Sequence, residues 1–596
     1  MLAKSKPSAD IPGEPERLLD TPTYEGFSIR PLYTALDARP EAPLPGRWPY
    51  VRGGDALRDV NTGWKVAEAF PAADQAEVGE LNGAILLALT EGVSALMVRV
   101  GEAGSQPGIV PGDVDRLLDG VFLELVPIVV DAGADYVAAA GTVLALAAQV
   151  DDDKHSMLSI DLGADPLTAA LSDRAAPTLE DVVATASKAG GYRGGVRAIT
   201  VDGPAFHNRG ANASWELAAS IAAGVAYLRA LPALTAAQAL RQISFRLAAD
   251  DDQFITIAKF RAARQLWARV AEVAGASGAG AATLHAVTSL SMMTQRDPWV
   301  NMLRTTVAAF AAGIGGADTV LIEPFDVGIR GGAPGVSPGF SRRIARNTQL
   351  LLLEEANIGR VLDPAGGSWY TEDLTEALAQ QAWRHFQAIE SRGGFVAAQD
   401  FIVAELAAVR DERIDDIAHR RTKITGVNEY PNLADPPLPQ TGNPTGVRTY
   451  AADFEALRTR SDAYLERTGS RPRVLLLPLG PLAEHNARVT FATNLLASGG
   501  IEAVNPGPLE AGGVAVAVEQ AGSPNTAVIC GTDERYSAEV AGVVAAAHAA
   551  GVSTVYLAGP PKAVADVEQS HLPDDYLTAA IDAVHALLNL LSRLGA

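Results

Sequence analysis

Short runs of apolar and β-branched residues alternate with longer alanine-rich stretches from about residue 80 to 370. The runs that predict strands are "SALMVRV" (94–100), "VPIVVDAG" (126–133), "VRAITVDG" (196–203) and "ADTVLIEPF" (317–325). The longer stretches, such as "SWELAASIAAGVAYLRAL" (214–231) and "TQLLLLEEANIGRVL" (348–362), predict helices. This alternation is typical of parallel β/α units, and a length of about 300 residues favours a closed (β/α)8 barrel over an open sheet.

A second alternating block follows the barrel. A helical pattern (374–417) ends the first block, and "YPNLADPPLPQTGNPTG" (430–446) is too rich in proline and glycine for a helix or a central strand. Beyond it the apolar runs predict four strands and two helices before a terminal helix: 473–480, 501–505, 526–531 and 552–559 for the strands, 483–500 and 537–551 for the helices. This block predicts a flavodoxin-like doubly wound domain, with ligands expected at the carboxyl ends of its strands.

These patterns divide the chain into four predicted parts. Residues 1–48 form an extended, proline-rich arm, 49–417 the barrel, 418–470 a linker, and 471–596 the flavodoxin-like domain. The arm has only weak periodicity, so it is interpreted either as a segment lying on another surface or as a flexible tail.

Composition narrows the function classes. The net charge of −22 argues against nucleic acid or an anionic membrane as partner, because both require a basic surface. The single cysteine, Cys530, excludes an intrachain disulfide and a cysteine-rich metal site, and it suits a reducing cytoplasm. The polar start "MLAKSKPSAD" predicts no secretory signal, and Glu91 and Arg99 interrupt the longest apolar stretch. We therefore expect a cytoplasmic protein.

Three other features of the sequence do not indicate a functional site. The acidic runs at 151–153 and 250–252 could bind a hard cation, but solvated turns are the preferred interpretation. The glycine-rich "GGAPGVSPG" (331–339) follows no phosphate-loop pattern and predicts a strand-end loop. Met292 and Met293 are expected to pack in the core.

Several longer segments resemble one enzyme family in their order and spacing. These segments are "PLYT" (Pro31–Thr34), "PGRWPYVRG" (Pro45–Gly53), 258–270, 296–320, 340–370 and "ITGVNEYP" (Ile424–Pro431). Together they are similar to adenosylcobalamin-dependent methylmalonyl-CoA mutases. The resemblance implies a barrel and a cobalamin-binding type of domain, and an enzyme that interconverts methylmalonyl-CoA and succinyl-CoA by radical chemistry.

The cofactor motif of that family is degenerate in this sequence. Active members carry D-x-H-x-x-G after the first strand of the last domain, where the histidine is the lower cobalt ligand. The matching stretch is "AEHNAR" (483–488), which keeps His485 but replaces the aspartate by Ala483 and the glycine by Arg488. Later corrin-contact positions also depart, at "TDE" (Thr532–Glu534) and "AGPP" (Ala558–Pro561). His485 is therefore a remnant of the motif, and an ordinary residue at the start of a surface helix is the preferred interpretation.

The family's substrate-binding positions in the barrel are replaced in the same way. The residues found there are Asp55, Pro204, Ala205, Val287, Leu290, Ser291 and Val327. His207 falls on a glutamine of the family, and we interpret it as an exposed loop histidine. No counterpart of the family's arginine-bearing substrate loop is found between residues 165 and 195. Since polar groups around the thioester are what such a site needs, no catalytic, cofactor or metal residue is predicted.

Within the family, the pattern resembles the small, non-catalytic subunits of the heterodimeric bacterial enzymes. That resemblance implies a large partner subunit carrying adenosylcobalamin and substrate, with the arm of this chain wrapping it. Two alternatives stay open: a self-sufficient acyl-CoA mutase with a rearranged site, and a regulatory protein that binds the mutase without being a stoichiometric subunit.

Overall fold

The structure is a computed structural model that describes residues 15–72, 77–103, 106–172, 174–192, 195–438, 440 and 442–596. Eight parallel strands close into a barrel in which the last strand pairs with the first. The strands are β1 (Lys65–Phe70), β2 (Ala95–Arg99), β3 (Ile128–Asp131), β4 (Ser159–Ala164), β5 (Gly195–Asp202), β6 (Ile243–Ala249), β7 (Leu284–Thr288) and β8 (Thr319–Leu321). The (β/α)8 barrel predicted from the sequence is confirmed.

Helices surround the barrel and extend beyond it. They are α1 (Val78–Thr90), α2 (Val114–Leu117), α3 (Tyr136–Ala147), α4 (Leu179–Ala189), α5 (Gly203–His207), α6 (Ala213–Ala230), α7 (Ala236–Leu240), α8 (Gln253–Val273), α9 (Trp299–Ile314), α10 (Pro338–Leu350), α11 (Trp369–Glu390) and α12 (Gln399–Ala418). One continuous apolar cluster joins the strands to these helices and includes the buried Trp64, Trp267, Met292 and Met293. The expectation that both methionines belong to the core is confirmed.

The C-terminal part is a five-stranded parallel sheet with helices packed against it. Its strands are β9 (Arg473–Pro478), β10 (Glu502–Val504), β11 (Thr526–Cys530), β12 (Thr554–Ala558) and β13 (Asp575–Leu577). Its helices are α13 (Ala452–Thr468), α14 (Leu482–Ser498), α15 (Val514–Gln520), α16 (Asp533–Ala549) and α17 (Ala583–Arg593). The spatial order β10-β9-β11-β12-β13 is the flavodoxin-like order, as predicted.

Two predicted helices need correction, and one observed helix was not predicted. The helix expected over 348–362 ends as α10 at Leu350, continues as one π-turn and is broken where Asn357 adopts a left-handed conformation. The helix expected over 374–417 is two helices, α11 and α12, because Gly393 and Gly394 turn the chain with positive φ. Helix α13 lies inside the predicted linker 418–470, where no helix was expected.

Buried polar contacts join the two parts of the molecule. Arg296, in the loop after β7, forms a 2.7 Å ion pair with Asp462 of α13. Tyr450 donates its backbone N–H to the carbonyl oxygen of Ser291 (2.8 Å) and its hydroxyl to Asp250 (2.8 Å). The segment that precedes α13 is thereby fixed to the carboxyl end of the barrel.

Part of the N-terminal arm packs on the barrel of its own chain. The carboxylate of Glu25 accepts hydrogen bonds from the backbone N–H groups of Ala213 (2.9 Å) and Ser214 (2.7 Å), which satisfies the free donors at the start of α6. The Tyr24 hydroxyl donates to Asp416 (2.8 Å). The described part of the arm is therefore anchored to the barrel and is not a free tail.

The described helices contain no stretch that is both long and apolar enough to cross a membrane.

Candidate functional site

A cavity of about 1150 Å³ opens at the carboxyl ends of the barrel strands, where (β/α)8 enzymes carry their active sites. Its lining residues come from the barrel, from α10 and α12, and from the segment 444–448 that precedes α13. No lining residue in the described part of the chain lies beyond Arg448. The flavodoxin-like domain therefore contributes no wall to this cavity.

The structure brings most of the replaced positions together. Pro204, Ala205, Val287, Leu290 and Val327 all line the cavity, so the side of the site that should bond a thioester is apolar. The predicted loss of polar groups is thus concentrated in one place.

Two of the replaced positions, Asp55 and Ser291, are not among the lining residues. Asp55 is exposed, accepts a hydrogen bond from the backbone N–H of Leu57 (2.8 Å) and belongs to a separate small pocket with Arg58, Arg264 and Asp318. The position that it occupies therefore does not form part of this cavity.

Four charged side chains form a ring inside the cavity. Arg174 contacts Asp131 and lies 3.8 Å from Asp202, while Arg246 lies 2.9 Å from Asp202 and 3.8 Å from Asp131. Burial alone would raise the pKa of Asp131, but the two arginines outweigh burial and hold that pKa below its usual value. The charges thus neutralise one another within the chain.

Sequence reasoning missed this ring. The sequence predicts no counterpart of an arginine-bearing loop between residues 165 and 195. Arg174 of this segment nevertheless lines the cavity, where its guanidinium is near Asp131 and Asp202. A usable signal existed, because Asp131 and Asp202 each end a buried strand pattern. Charged residues in that position point to the carboxyl end of a barrel.

A second missed pair borders the same cavity. Arg99 ends β2, and its guanidinium lies 3.5 Å from the carboxylate of Glu323, which follows β8. Each of these charged groups again has a partner within the chain.

His207 lies at the end of α5 and is only 4% exposed, which corrects its interpretation as an exposed loop histidine. Its Nε2 is 2.6 Å from Ser289 Oγ, and its Nδ1 is 3.8 Å from a carboxylate oxygen of Glu216. Burial lowers the pKa of His207, although Glu216 and Asp250 oppose the change.

His485 lies in the first turn of α14 and is buried rather than on the surface. Its Nδ1 is 2.9 Å from the carbonyl oxygen of Gly480, so a backbone group occupies the nitrogen that the family's aspartate would orient. The carboxylate that would orient the histidine is absent, because Ala483 stands in its place.

The cleft beside His485 is occupied by the chain's own side chains. Arg488 donates to the carbonyl oxygen of Ala558 (2.8 Å) and pairs with Asp533 (3.2 Å). It approaches Gly559 so closely that a Cβ there would lie 2.8 Å from Arg488 Nη1. A corrin needs open, uncharged backbone at these strand ends, so the residues present do not fit cobalamin.

Tyr536 also lies at this strand end. Its side chain is fully buried, accepts a hydrogen bond from the backbone N–H of Gly531 (2.9 Å) and donates to the carbonyl oxygen of Ala558 (2.8 Å). Thr532 caps the start of α16, so the "TDE" stretch builds a helix terminus.

The acidic runs have structural partners. Asp151 pairs with Lys154 (3.0 Å), and Asp252 caps α8 through the backbone N–H of Ile255 (3.2 Å). The glycine-rich 331–339 stretch leads from β8 into α10. Across the described residues, no group of three or more His, Cys, Asp or Glu side chains is arranged to hold a metal ion.

The chain is similar to known proteins of one family. The family model for methylmalonyl-CoA mutase matches residues 22–468. The probable methylmalonyl-CoA mutase small subunit of Mycobacterium tuberculosis (strain ATCC 25618 / H37Rv) is 66% identical over 601 residues, covering 100% of this chain and 96% of that protein. The small subunit of Streptomyces virginiae is 45% identical, covering 99% and 94%.

A large subunit is also similar, over a shorter stretch. The methylmalonyl-CoA mutase large subunit of Streptomyces virginiae is 31% identical over 458 residues, covering 70% of this chain and 60% of that protein. The chain belongs to the methylmalonyl-CoA mutase family and is a full-length homologue of its small subunits.

Proposed function

We propose that this chain is the non-catalytic small subunit of a heterodimeric methylmalonyl-CoA mutase. The large subunit would bind adenosylcobalamin and the acyl-CoA, and the assembled enzyme would interconvert methylmalonyl-CoA and succinyl-CoA. The observation that carries this proposal lies at the end of β12, where Arg488, three residues after His485, and Tyr536 both donate hydrogen bonds to the carbonyl oxygen of Ala558. Adenosylcobalamin would have to displace both side chains and their hydrogen bonds.

The barrel supports the same conclusion by a different route. Its cavity is large enough for a ligand, but the wall formed by Pro204, Ala205 and Val287 offers no side-chain donor to a thioester carbonyl. Four of the charged groups in the cavity, Asp131, Arg174, Asp202 and Arg246, engage one another in the ring. No residue of this chain is then assigned to the radical rearrangement.

The arm offers a surface for the large subunit. Among the apolar residues of the arm, Phe27 and Ile29 pack against the chain's own core, and the ring of Tyr33 contacts that of Tyr370 in a tilted arrangement with centroids 5.0 Å apart. Leu32 is 68% exposed and Leu36 is 97% exposed. Since the base of the arm is fixed on the barrel, these two side chains are presented at low entropic cost to a partner.

The two alternatives make different demands on the molecule. A self-sufficient mutase would need an open corrin site in this chain, which the contacts of Arg488 oppose. A regulatory protein would bind the mutase at a ratio other than one to one. The partner and its stoichiometry therefore separate the proposals.

The test is co-expression with a large subunit that carries an intact D-x-H-x-x-G motif. We expect a 1:1 complex with an interface above ~2,000 Å², the size typical of obligate pairs. Mutase activity should need the large subunit and its motif. Succinyl-CoA formed by this chain alone, or a complex of another stoichiometry, would contradict the proposal.

A further inference from the structure

Ser289 and His207 form a pair that the proposed function does not use. Ser289 follows β7, His207 ends α5, and the two meet at the mouth of the barrel with Oγ 2.6 Å from Nε2. The other ring nitrogen of His207 faces a carboxylate oxygen of Glu216 at 3.8 Å. The carboxylate of Asp250 also lies 3.5 Å from Nε2, so two carboxylates flank the ring. A hydroxyl bonded to an imidazole beside a carboxylate is the arrangement of an activated nucleophile.

The surroundings keep His207 able to accept a proton. The ring is buried, and burial lowers its pKa, so the neutral imidazole is the form present near pH 7. Glu216 is held in place by Lys259 (2.7 Å) and by the backbone N–H of Ala248 (2.7 Å). A neutral base next to a fixed carboxylate is what general-base catalysis requires.

The nucleophile also has access to substrate and a donor beside it. Ser289 and Leu290 both line the 1150 Å³ cavity. The backbone N–H of Leu290 has no hydrogen-bond acceptor among the described residues. In acyl-transfer enzymes the N–H of the residue after the nucleophile stabilises the oxyanion, so Leu290 stands in the corresponding place.

We propose that Ser289 is an acyl acceptor and that this chain hydrolyses short-chain acyl thioesters in the barrel cavity. Ser289 Oγ forms a bond to the thioester carbonyl carbon while its proton passes to His207 Nε2. The carbon–sulfur bond then breaks, and the proton goes from His207 to the departing thiolate. Water attacks the acyl-serine with His207 as base, releasing the carboxylic acid and restoring Ser289.

The cavity walls suit this class of substrate. Pro204, Ala205 and Val287 provide an apolar wall for a short acyl chain, and the cavity volume exceeds what such a chain needs. The reaction goes beyond the proposed function, because hydrolysis at Ser289 needs neither cobalamin nor the large subunit.

The experiment uses p-nitrophenyl acetate as the probe on the full chain, alone and in complex with the large subunit. We expect one acetyl group, mapped to Ser289 by peptide mass spectrometry, and release of p-nitrophenol. Ser289→Ala should abolish both, and His207→Gln should slow acetylation about 100-fold. Ser291→Ala is the matched control, since Ser291 lies in the same loop and bonds only weakly to Asn208 (3.4 Å).

The result stays interpretable if Ser289→Ala does not fold. Ser289→Cys should then carry the acetyl group as a thioester that hydroxylamine removes. Acetylation that is equal in the wild type and in Ser289→Ala, or that never appears on Ser289 in either preparation, would overturn the proposal. An unchanged rate in His207→Gln would overturn the role of the imidazole.

Discussion

The barrel mouth and the cleft of the flavodoxin-like domain differ in what replaces a binding site. The barrel mouth keeps a cavity of about 1150 Å³, and its charges engage one another across that space. The cleft beside His485 is instead occupied directly by Arg488 and Tyr536. Both regions lie at the carboxyl ends of parallel strands, so the same location in two folds is open but internally charge-paired in one and filled by side chains in the other.

The difference shows which interactions each region depends on. In the barrel the four side chains of the ring are only 12–19% exposed, and loss of one member would leave a carboxylate without its arginine in this sheltered position. In the cleft the Arg488 side chain is 32% exposed and its partner Asp533 is 56% exposed, so water can take over their contacts. We therefore expect substitutions in the barrel mouth to cost more stability than those in the cleft.

The largest effect is expected for Arg246→Met. This substitution leaves Asp202 and Asp131 with Arg174 alone, and breaking a buried ion pair by removing one partner costs about 3–5 kcal/mol. Urea unfolding of the purified chain measures the loss. Arg448→Met is the control, because Arg448 lines the same cavity but pairs at the surface with Asp453, and it should cost less than about 1 kcal/mol. Equal losses would remove the distinction between the ring and a surface pair.

The next effect concerns pH and Asp165, which lies at the base of the segment that carries Arg174. Burial raises the pKa of Asp165 to about 6, against the hydrogen bonds from Thr168 and Tyr227. Because its folded-state pKa exceeds the unfolded one, its contribution to stability is complete below pH ~4 and is lost as the pH rises through 6. The total change is about 3 kcal/mol, and Asp165→Asn should abolish it, as unfolding at pH 4.5 and 7 would measure.

At the start of α14, the pH dependence of stability should have the opposite sign. A hydrogen bond from Arg535 (2.6 Å) lowers the pKa of Glu484, so its contribution is present above the ordinary glutamate pKa and is lost as the pH falls. Glu484→Gln should therefore matter more at pH 7 than at pH 4. The same pH trend in Glu484→Gln and Asp165→Asn would contradict the assigned shifts.

A smaller effect is expected at the arm. Leu32→Asp should weaken binding of the large subunit ~10-fold or more, because a fully buried leucine contributes about 1.5–3 kcal/mol. Leu57→Asp is the control, since Leu57 is equally apolar and 92% exposed but follows the arm in the chain, outside residues 1–48. Titration calorimetry of the pair gives the affinities. Undiminished affinity in Leu32→Asp would place the interface elsewhere.

Deleting residues 1–40 is a poorer test of the same surface. The deletion removes Glu25 and Tyr24 together with the exposed leucines, and so uncovers the start of α6. Loss of pairing after that deletion would mix instability of the barrel with loss of the interface.

Arg488→Met should cost only about 1 kcal/mol, since it removes one hydrogen bond and one exposed pair. The variant should still bind no adenosylcobalamin at micromolar concentration, because Tyr536 remains in the cleft and Ala483 supplies no carboxylate. Absorbance spectroscopy after gel filtration measures bound corrin. A His-ligated corrin spectrum would show that Arg488 alone closes the site.

The smallest effect is expected for His485→Ala. If His485 is only a remnant, activity of the assembled mutase should not change, although the lost contact with Gly480 will reduce stability slightly. Activity is best compared at equal concentrations of folded complex. A large fall in activity with stability preserved would give His485 a role in catalysis.

The hydrophobic pattern predicts β2, β3, β5 and β8 of the barrel and β9 to β12 of the C-terminal sheet, because each is a short apolar run rich in β-branched residues. It does not single out β1, β4, β6, β7 or β13, whose runs are shorter or interrupted by alanine, glycine or charged residues. It fails at helix ends, since the break at Asn357 and the turn at Gly393 depend on single backbone conformations. It also misses α13, because the proline-rich stretch before this helix was extended too far.

The family resemblance predicts part of the candidate site but not its ring of charged side chains. The resemblance predicts which positions have lost polar side chains, and five of them do line one cavity. It does not predict that Arg174 would contact Asp131, because these residues are 43 positions apart and meet only when the neighbouring strands β3 and β4 pair. His207 is the instructive error, since a histidine five residues after the end of β5 was expected to face solvent and is instead buried against Ser289.

The anchoring of the arm has a consequence for how the chain is made. Glu25 leaves the ribosome early, but the N–H groups it bonds belong to residues 188 and 189 positions later, and the Asp416 partner of Tyr24 comes 392 positions later. At about 5–20 residues per second, synthesis takes roughly 20–80 s to supply that last partner. The first segment to be translated is thus among the last to find its place, and its exposed leucines are available to a nascent or finished partner throughout that interval.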